Sequence, residues 1–140
     1  RKVSAVIDGE PVFSEETVWN PKITSDPSYH YEGILDSFRK AAAHMPRVDA
    51  IGVSSAGIYV DNQTKVASLF LKVSDDDFQK TIKNIYINAA KAIGPDIPIV
   101  VANDVDVTAL AGAMSCKKMA FWELLWEPVK RAVMSIPLGR

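Results

Sequence analysis

The sequence predicts an α/β fold, and three observations predict it. Val48–Val53 and Ile97–Ala102 are short apolar runs rich in β-branched residues, the pattern of strands covered on both faces. A stretch with helical spacing, residues 75–93, lies between them and makes a βαβ unit whose crossover is right-handed. Near the N-terminus, Asp8-Gly9 separates two extended runs, which signals an antiparallel hairpin because both central residues must tolerate positive φ. At 140 residues the chain fits one domain with a single core.

Lys2 to Ile7 alternates, with Val3, Ala5 and Ile7 on one face, and Val12 to Trp19 forms the second arm of the hairpin. Residues 20–28 hold two prolines, an Asn, an Asp and two serines and read as loop. Asp26-Pro27 then supplies an N-cap followed by Pro at the first helical position. Tyr31, Ile34, Leu35, Phe38, Ala41, Ala42 and Met45 mark one face of the helix, which Met45-Pro46 ends. His44 falls in its last turn, where a partly charged imidazole suits the helix dipole.

After the strand at 48–53 comes Ser54-Ser55-Ala56-Gly57, whose small residues let backbone and hydroxyls approach a ligand closely, or simply make a tight turn. Ile58 to Lys72 reads as irregular chain with short extended pieces, turning at Asp61-Asn62. Ser74 opens the next helix with Asp77 at the capping-box position. The run Asp75-Asp76-Asp77 lacks the glycine and distal glutamate of a calcium loop and is read as compensation of the helix dipole. Phe78, Ile82, Ile85, Tyr86, Ala89 and Ile93 form the buried stripe, closed by Gly94-Pro95.

The strand at 97–102 ends in Asn103-Asp104, and Val107, Leu110, Ala111 and Met114 follow at helical spacing. Parallel strands put their carboxyl ends on one edge, where ligands of open α/β sheets collect. Ser54-Ser55-Ala56-Gly57 and Asn103-Asp104 are therefore expected to face one another across a small crevice. Asp104 is the first candidate for chemistry; the alternative is that it merely caps the helix, a role open to Asp106 as well.

Composition narrows the function classes. A formal net charge of −1 argues against a nucleic-acid surface, whose phosphates call for a basic excess. No apolar run is long enough to span a bilayer, and no signal peptide is visible. Cys116 is the single cysteine, so no intrachain disulfide forms, and a cytoplasmic setting is expected. One cysteine and two scattered histidines, His30 and His44, do not make an ordinary Cys/His zinc site, so no metal site is expected. The start at Arg1, directly before a strand pattern, reads like a piece of something longer.

Three passages, taken with the order of elements, carry a resemblance: Ile51-Gly52-Val53-Ser54-Ser55-Ala56-Gly57, Pro98-Ile99-Val100-Val101-Ala102-Asn103-Asp104 and Val107-Thr108-Ala109-Leu110-Ala111-Gly112-Ala113. Together they resemble the N-terminal lobe of the ROK family, the sugar kinases and sugar-responsive repressors of the actin-like/hexokinase superfamily. The resemblance implies a ribonuclease H-like (actin-like ATPase) lobe over residues 1–115, lacking its first strand and phosphate loop. It further implies a mixed sheet with an N-terminal antiparallel hairpin and parallel strands flanked by helices. In that family the Asp of the Asn-Asp pair is the general base toward the sugar hydroxyl, which maps onto Asp104. Sugar contacts map onto Asn103 and onto Ser54, Ser55 and Gly57 of the Gly-x-Ser-x-x-Gly turn. An aspartate in water is ionised at neutral pH and needs only hydrogen-bond reach, and such a base contributes about 10²–10⁴ in rate.

The departures bear on activity. The Gly-Gly-Thr-type phosphate hairpin, the second phosphate loop, the adenosine segment, the Cys-rich zinc motif and the winged DNA-binding domain are all absent. Ala56 replaces the usual proline of the turn, and Val66-Ala67-Ser68-Leu69 is only faintly similar to the family's Asn-Leu segment. ATP and Mg²⁺ are thus implied for the complete parent protein, with none bound by this chain alone. The likeness ends after Ser115. Residues 116–140 read as a divergent helical tail in which Phe121, Trp122, Leu125, Trp126, Val129 and Val133 recur at helical spacing, interrupted by Pro128. That stripe either packs on its own core or meets a partner.

Three functional expectations result. The first is a truncated sugar-binding lobe of an ATP-dependent sugar kinase, inactive alone, whose partners are a small-molecule sugar and the missing C-terminal lobe. The second is a non-catalytic sugar-sensing or protein-interaction module derived from the same lobe, forming a homo-oligomer through the 116–140 tail. The third is an unrelated α/β domain with its helix cap at Asp104.

Overall fold

The computed structural model describes residues 1–115, so the tail read at 116–140, with its aromatic stripe, lies outside the described residues. The chain is mixed α/β, with an antiparallel hairpin, a parallel strand pair and flanking helices. Strands β1 (Lys2–Ile7) and β2 (Glu10–Glu16) pair antiparallel through Asp8 and Gly9, at φ +52° and +81°. Positive φ at both central residues suits the right-handed twist of the arms. Helix α1 (Pro27–Ala42) starts as its sequence predicts: the Asp26 carboxylate accepts from the Ser28 N–H at 2.9 Å, and Pro27 needs no partner there. It ends three residues before Met45, and the chain leaves through successive turns. His44 is accordingly just past the helix, its Nδ1 2.8 Å from the Lys40 carbonyl and its ring stacked on Phe13.

The βαβ unit forms with both strands shifted about two residues toward the C-terminus. Strand β3 (Ile51–Ser55) and β6 (Ile99–Asn103) pair parallel, from Ile51 opposite Ile99 to Ser55 opposite Asn103. Between them, the stretch expected to be irregular holds a second hairpin, β4 (Ile58–Val60) and β5 (Gln63–Val66), turning at Asp61 and Asn62, both at positive φ.

The crossover helix is broken where one continuous helix was expected. A single turn, α2 (Asp75–Asp77), is capped by Ser74, whose Oγ accepts from the Asp77 N–H and donates to its carboxylate. A π-helical stretch, Phe78–Ile82, follows, and α3 (Ile85–Ile93) resumes regular winding. The second hairpin accounts for the break. The Lys83 carbonyl accepts from the Thr64 N–H at 2.9 Å, and the Asn84 side chain accepts from Gln63 Nε2 at 3.1 Å. An intruding strand that satisfies a helix carbonyl releases it from the i→i+4 ladder, a recognised cause of kinks.

The core gathers Ile34, Phe70, Ile82, Ile85, Tyr86, Ala89 and Val101 between α1, α3 and the parallel pair. Helix α4 (Asp104–Ser115) leaves directly from β6; Val107 and Leu110 are half-buried while Ala111 and Met114, expected on the same stripe, are exposed. The expected single mixed sheet is replaced by three two-stranded ladders, β1–β2, β3–β6 and β4–β5. Among the described residues no strand occupies the space between β1 and β3. No helix among these residues is long and apolar enough to cross a membrane.

Candidate functional site

The carboxyl ends of β3 and β6 meet at one rim, and Asn103 fastens them together. Its Nδ2 donates to the Gly57 carbonyl at 2.7 Å, and its Oδ1 accepts from the Val105 N–H at 2.8 Å. The second bond makes Asn103 the cap of α4, satisfying one of the orphan donors of the first turn. Neither Asp104 nor Asp106 fills that role as its main contact. An amide carries two N–H groups and two acceptor lone pairs, so these two bonds use one of each at Asn103.

Asp104 stands one position further on, at the first helical residue. Its side chain is exposed, makes a single 3.1 Å contact with the Val105 N–H, and borders an open depression with Val105, Thr108 and Ala109. The Thr108 hydroxyl is turned inward, donating to the Asp104 carbonyl at 2.7 Å. A carboxylate at a helix N-terminus sits in a favourable field.

The serine-glycine corner divides its residues between two faces. Ser54 is exposed and lines the clefts beside β1. Ser55 points inward, 9% exposed, and its Oγ accepts from the Tyr86 hydroxyl at 3.0 Å. Gly57 is required by its backbone. At φ +139° a Cβ would stand 2.6 Å from the Val66 carbonyl oxygen, so only glycine lets the turn approach β5 and Asn103.

Two tyrosines that sequence reasoning did not assign to the rim lie behind it. The Tyr59 hydroxyl donates to the Ala56 carbonyl at 2.9 Å, and its ring meets Tyr86 edge to face at 6.0 Å. Burial pushes both phenols above their usual range; at Tyr59 the nearby Asp104 charge adds to the rise. Both therefore stay neutral and act as hydrogen-bonding props for the corner. Tyr86 was legible as part of the buried stripe of α3, and a buried phenol needs a polar partner; nothing in the sequence pointed to Ser55 as that partner.

Among the described residues no three His, Cys, Asp or Glu side chains gather as a metal-binding group. Compared with family models, characterised proteins and solved structures, the chain matches none of them.

Proposed function

We propose that the chain is a ribonuclease H-like, actin-like lobe that holds a sugar at the rim between β3 and β6, as part of an ATP-dependent sugar kinase. The observation that carries this reading is the Asn103 staple, with Nδ2 on Gly57 and Oδ1 on the start of α4, which leaves the adjacent Asp104 carboxylate exposed beside it. In this reading Asp104 takes the proton from the attacking sugar hydroxyl, while the Asn103 amide orients the ring; Ser54, expected to share that contact, lines the clefts beside β1 and not the depression that Asp104 borders. Ser55 and Gly57 act through the corner they shape. A general base must lie within hydrogen-bond reach of the proton it removes, and the exposure of the Asp104 carboxylate at the rim supports that role. Phosphoryl transfer otherwise rests on positioning and charge neutralisation. ATP and Mg²⁺ belong to the complete parent protein, and no residue of this chain is assigned to them, so the chain alone is expected to show no turnover.

Hexose titration followed by amide chemical shifts tests the reading. Saturable shifts at Gly57, Asn103 and Val105, weakened in Asp104→Asn, are expected. Absence of such shifts with every hexose tried refutes it. A non-catalytic sugar-sensing module is the second reading, favoured by the inward commitment of Ser55 to Tyr86. It predicts the same shifts with no weakening in Asp104→Asn.

A further inference from the structure

We infer that Tyr59 is a positioning residue of the rim: its hydroxyl holds the Ala56-Gly57 corner so that the Gly57 carbonyl stays where the Asn103 amide, beside Asp104, can grip it. The ligand to be positioned is the sugar of the preceding reading, on which this inference rests. The clamp itself rests on geometry alone.

Three successive residues of the corner are each held by a side chain from a different element. Ser55 Oγ accepts from the Tyr86 hydroxyl of α3, and the Ala56 carbonyl accepts from the Tyr59 hydroxyl of β4 at 2.9 Å. The Gly57 carbonyl accepts from Asn103 Nδ2, on β6, at 2.7 Å. The last of these bonds orients the Asn103 amide, so the direction of the Gly57 carbonyl decides how that amide stands beside Asp104.

Gly57 has no Cβ to restrict its dihedrals, and it sits at φ +139°. The restraint has to come from its neighbours. Tyr59 supplies it on one flank: a Cβ on Gly57 would lie 3.1 Å from the Tyr59 oxygen, and the same hydroxyl binds the carbonyl just before the glycine. The Tyr59 ring packs against the core and meets Tyr86 edge to face at 6.0 Å, so the hydroxyl is presented from a fixed platform. Groups that orient a ligand need such support, because a site loose by about 1 Å no longer positions what it binds. The Asp104 charge is felt at this phenol, where it adds to the rise caused by burial. Tyr59 therefore lies within electrostatic reach of the candidate base and keeps the proton with which it holds Ala56.

The test is Tyr59→Phe in the whole 140-residue chain, which keeps the ring and its packing but removes the donor. Exchange of the Asn103 side-chain amide protons with water, followed by NMR, is expected to quicken about twofold to tenfold, the weight of one hydrogen bond. Affinity for glucose, mannose or fructose, whichever shifts Gly57 and Asn103 in the unsubstituted chain, is expected to weaken by a similar factor. A merely structural hydroxyl would lower the urea midpoint and leave both quantities unchanged, since each is read on folded molecules; that result overturns the proposal. If none of the three sugars binds the unsubstituted chain, the sugar reading fails, while Asn103 exchange still decides whether Tyr59 holds the corner. Should Tyr59→Phe not fold, the unsubstituted chain decides: its Tyr59 ring resonances are expected to move with the same saturation as Gly57 and Asn103 on adding the sugar, and a Tyr59 ring that stays still refutes the inference.

Discussion

On the β6 side of the parallel pair, Ile82, Ile85 and Ala89 are wholly buried, and β5 reaches into the helix to satisfy the Lys83 carbonyl. On the β3 side, Ala5 is the one hairpin residue in the core, while Val6 and Val12 are 52% and 49% exposed. The second flank is held by polar ties instead: Arg1 Nε donates to Ser37, and Lys40 pairs with Glu15 at 2.6 Å and Asp36 at 3.2 Å. Exposed ion pairs contribute little and are screened by salt, whereas buried apolar area is the main source of stability. The difference teaches that cohesion resides in the α3 flank. The N-terminal hairpin is the less buried of the two flanks.

The strongest way to break that comparison is to truncate the buried flank. Ile85→Ala is expected to cost about 2–5 kcal/mol in urea unfolding, since it removes a fully buried side chain and leaves a cavity. Val12→Ala on the exposed hairpin is expected to stay within about 0.5 kcal/mol. Equal losses would mean that the two flanks share the load.

The rim comes next. Gly57→Ala forces a Cβ against the Val66 carbonyl at a φ that side chains rarely adopt, for an expected loss of about 1–3 kcal/mol. Asn103→Ala removes the α4 cap and is expected to cost about 0.5–2 kcal/mol, with the lost bond to Gly57 adding to it. A result near zero for Asn103→Ala would mean that the corner stays closed without its staple.

His30 sharpens the comparison by pH. It is wholly buried between Trp19 and Phe70, with Nε2 3.1 Å from the Thr24 carbonyl and, among the described residues, no partner for Nδ1. Burial pushes its imidazole below the usual value of 6.5, against smaller opposing effects of the Thr24 carbonyl and Asp26. The folded state then binds the proton less readily than the unfolded chain. Stability is fully present above about pH 6.5 and falls as pH drops from there through the lowered folded value. Urea midpoints measured across that window should show the decline, and His30→Gln should remove this contribution to it.

Local signals with one dominant physical cause were legible in the sequence. Asp8-Gly9 made its hairpin, Asp26-Pro27 and Ser74 began their helical segments, and the β3 and β6 runs paired in parallel as expected. The features that were not legible depend on neighbours distant along the chain. The helix is interrupted at Lys83 and Asn84, where Thr64 and Gln63 take their oxygens, and Ser55 turns inward onto the Tyr86 hydroxyl. Residue spacing in 75–93 fits an uninterrupted helix equally well. At the rim, sequence order placed Asn103 and Gly57 together but offered only Asp104 or Asp106 as the cap, whereas Asn103 takes that role.

That last ambiguity sets the smallest predicted effect. With Asn103 as cap, Asp104→Asn loses only the interaction of one exposed charge with the start of α4, expected to be about 0.3–0.5 kcal/mol and diminished by salt. Asn103→Ala should exceed it severalfold when both are measured by urea unfolding in one buffer. If Asp104→Asn instead costs as much as Asn103→Ala, the carboxylate is a structural part of the turn. A group so engaged would lose a needed contact on turning toward a sugar hydroxyl, and the argument for Asp104 as a base would fail on stability data alone.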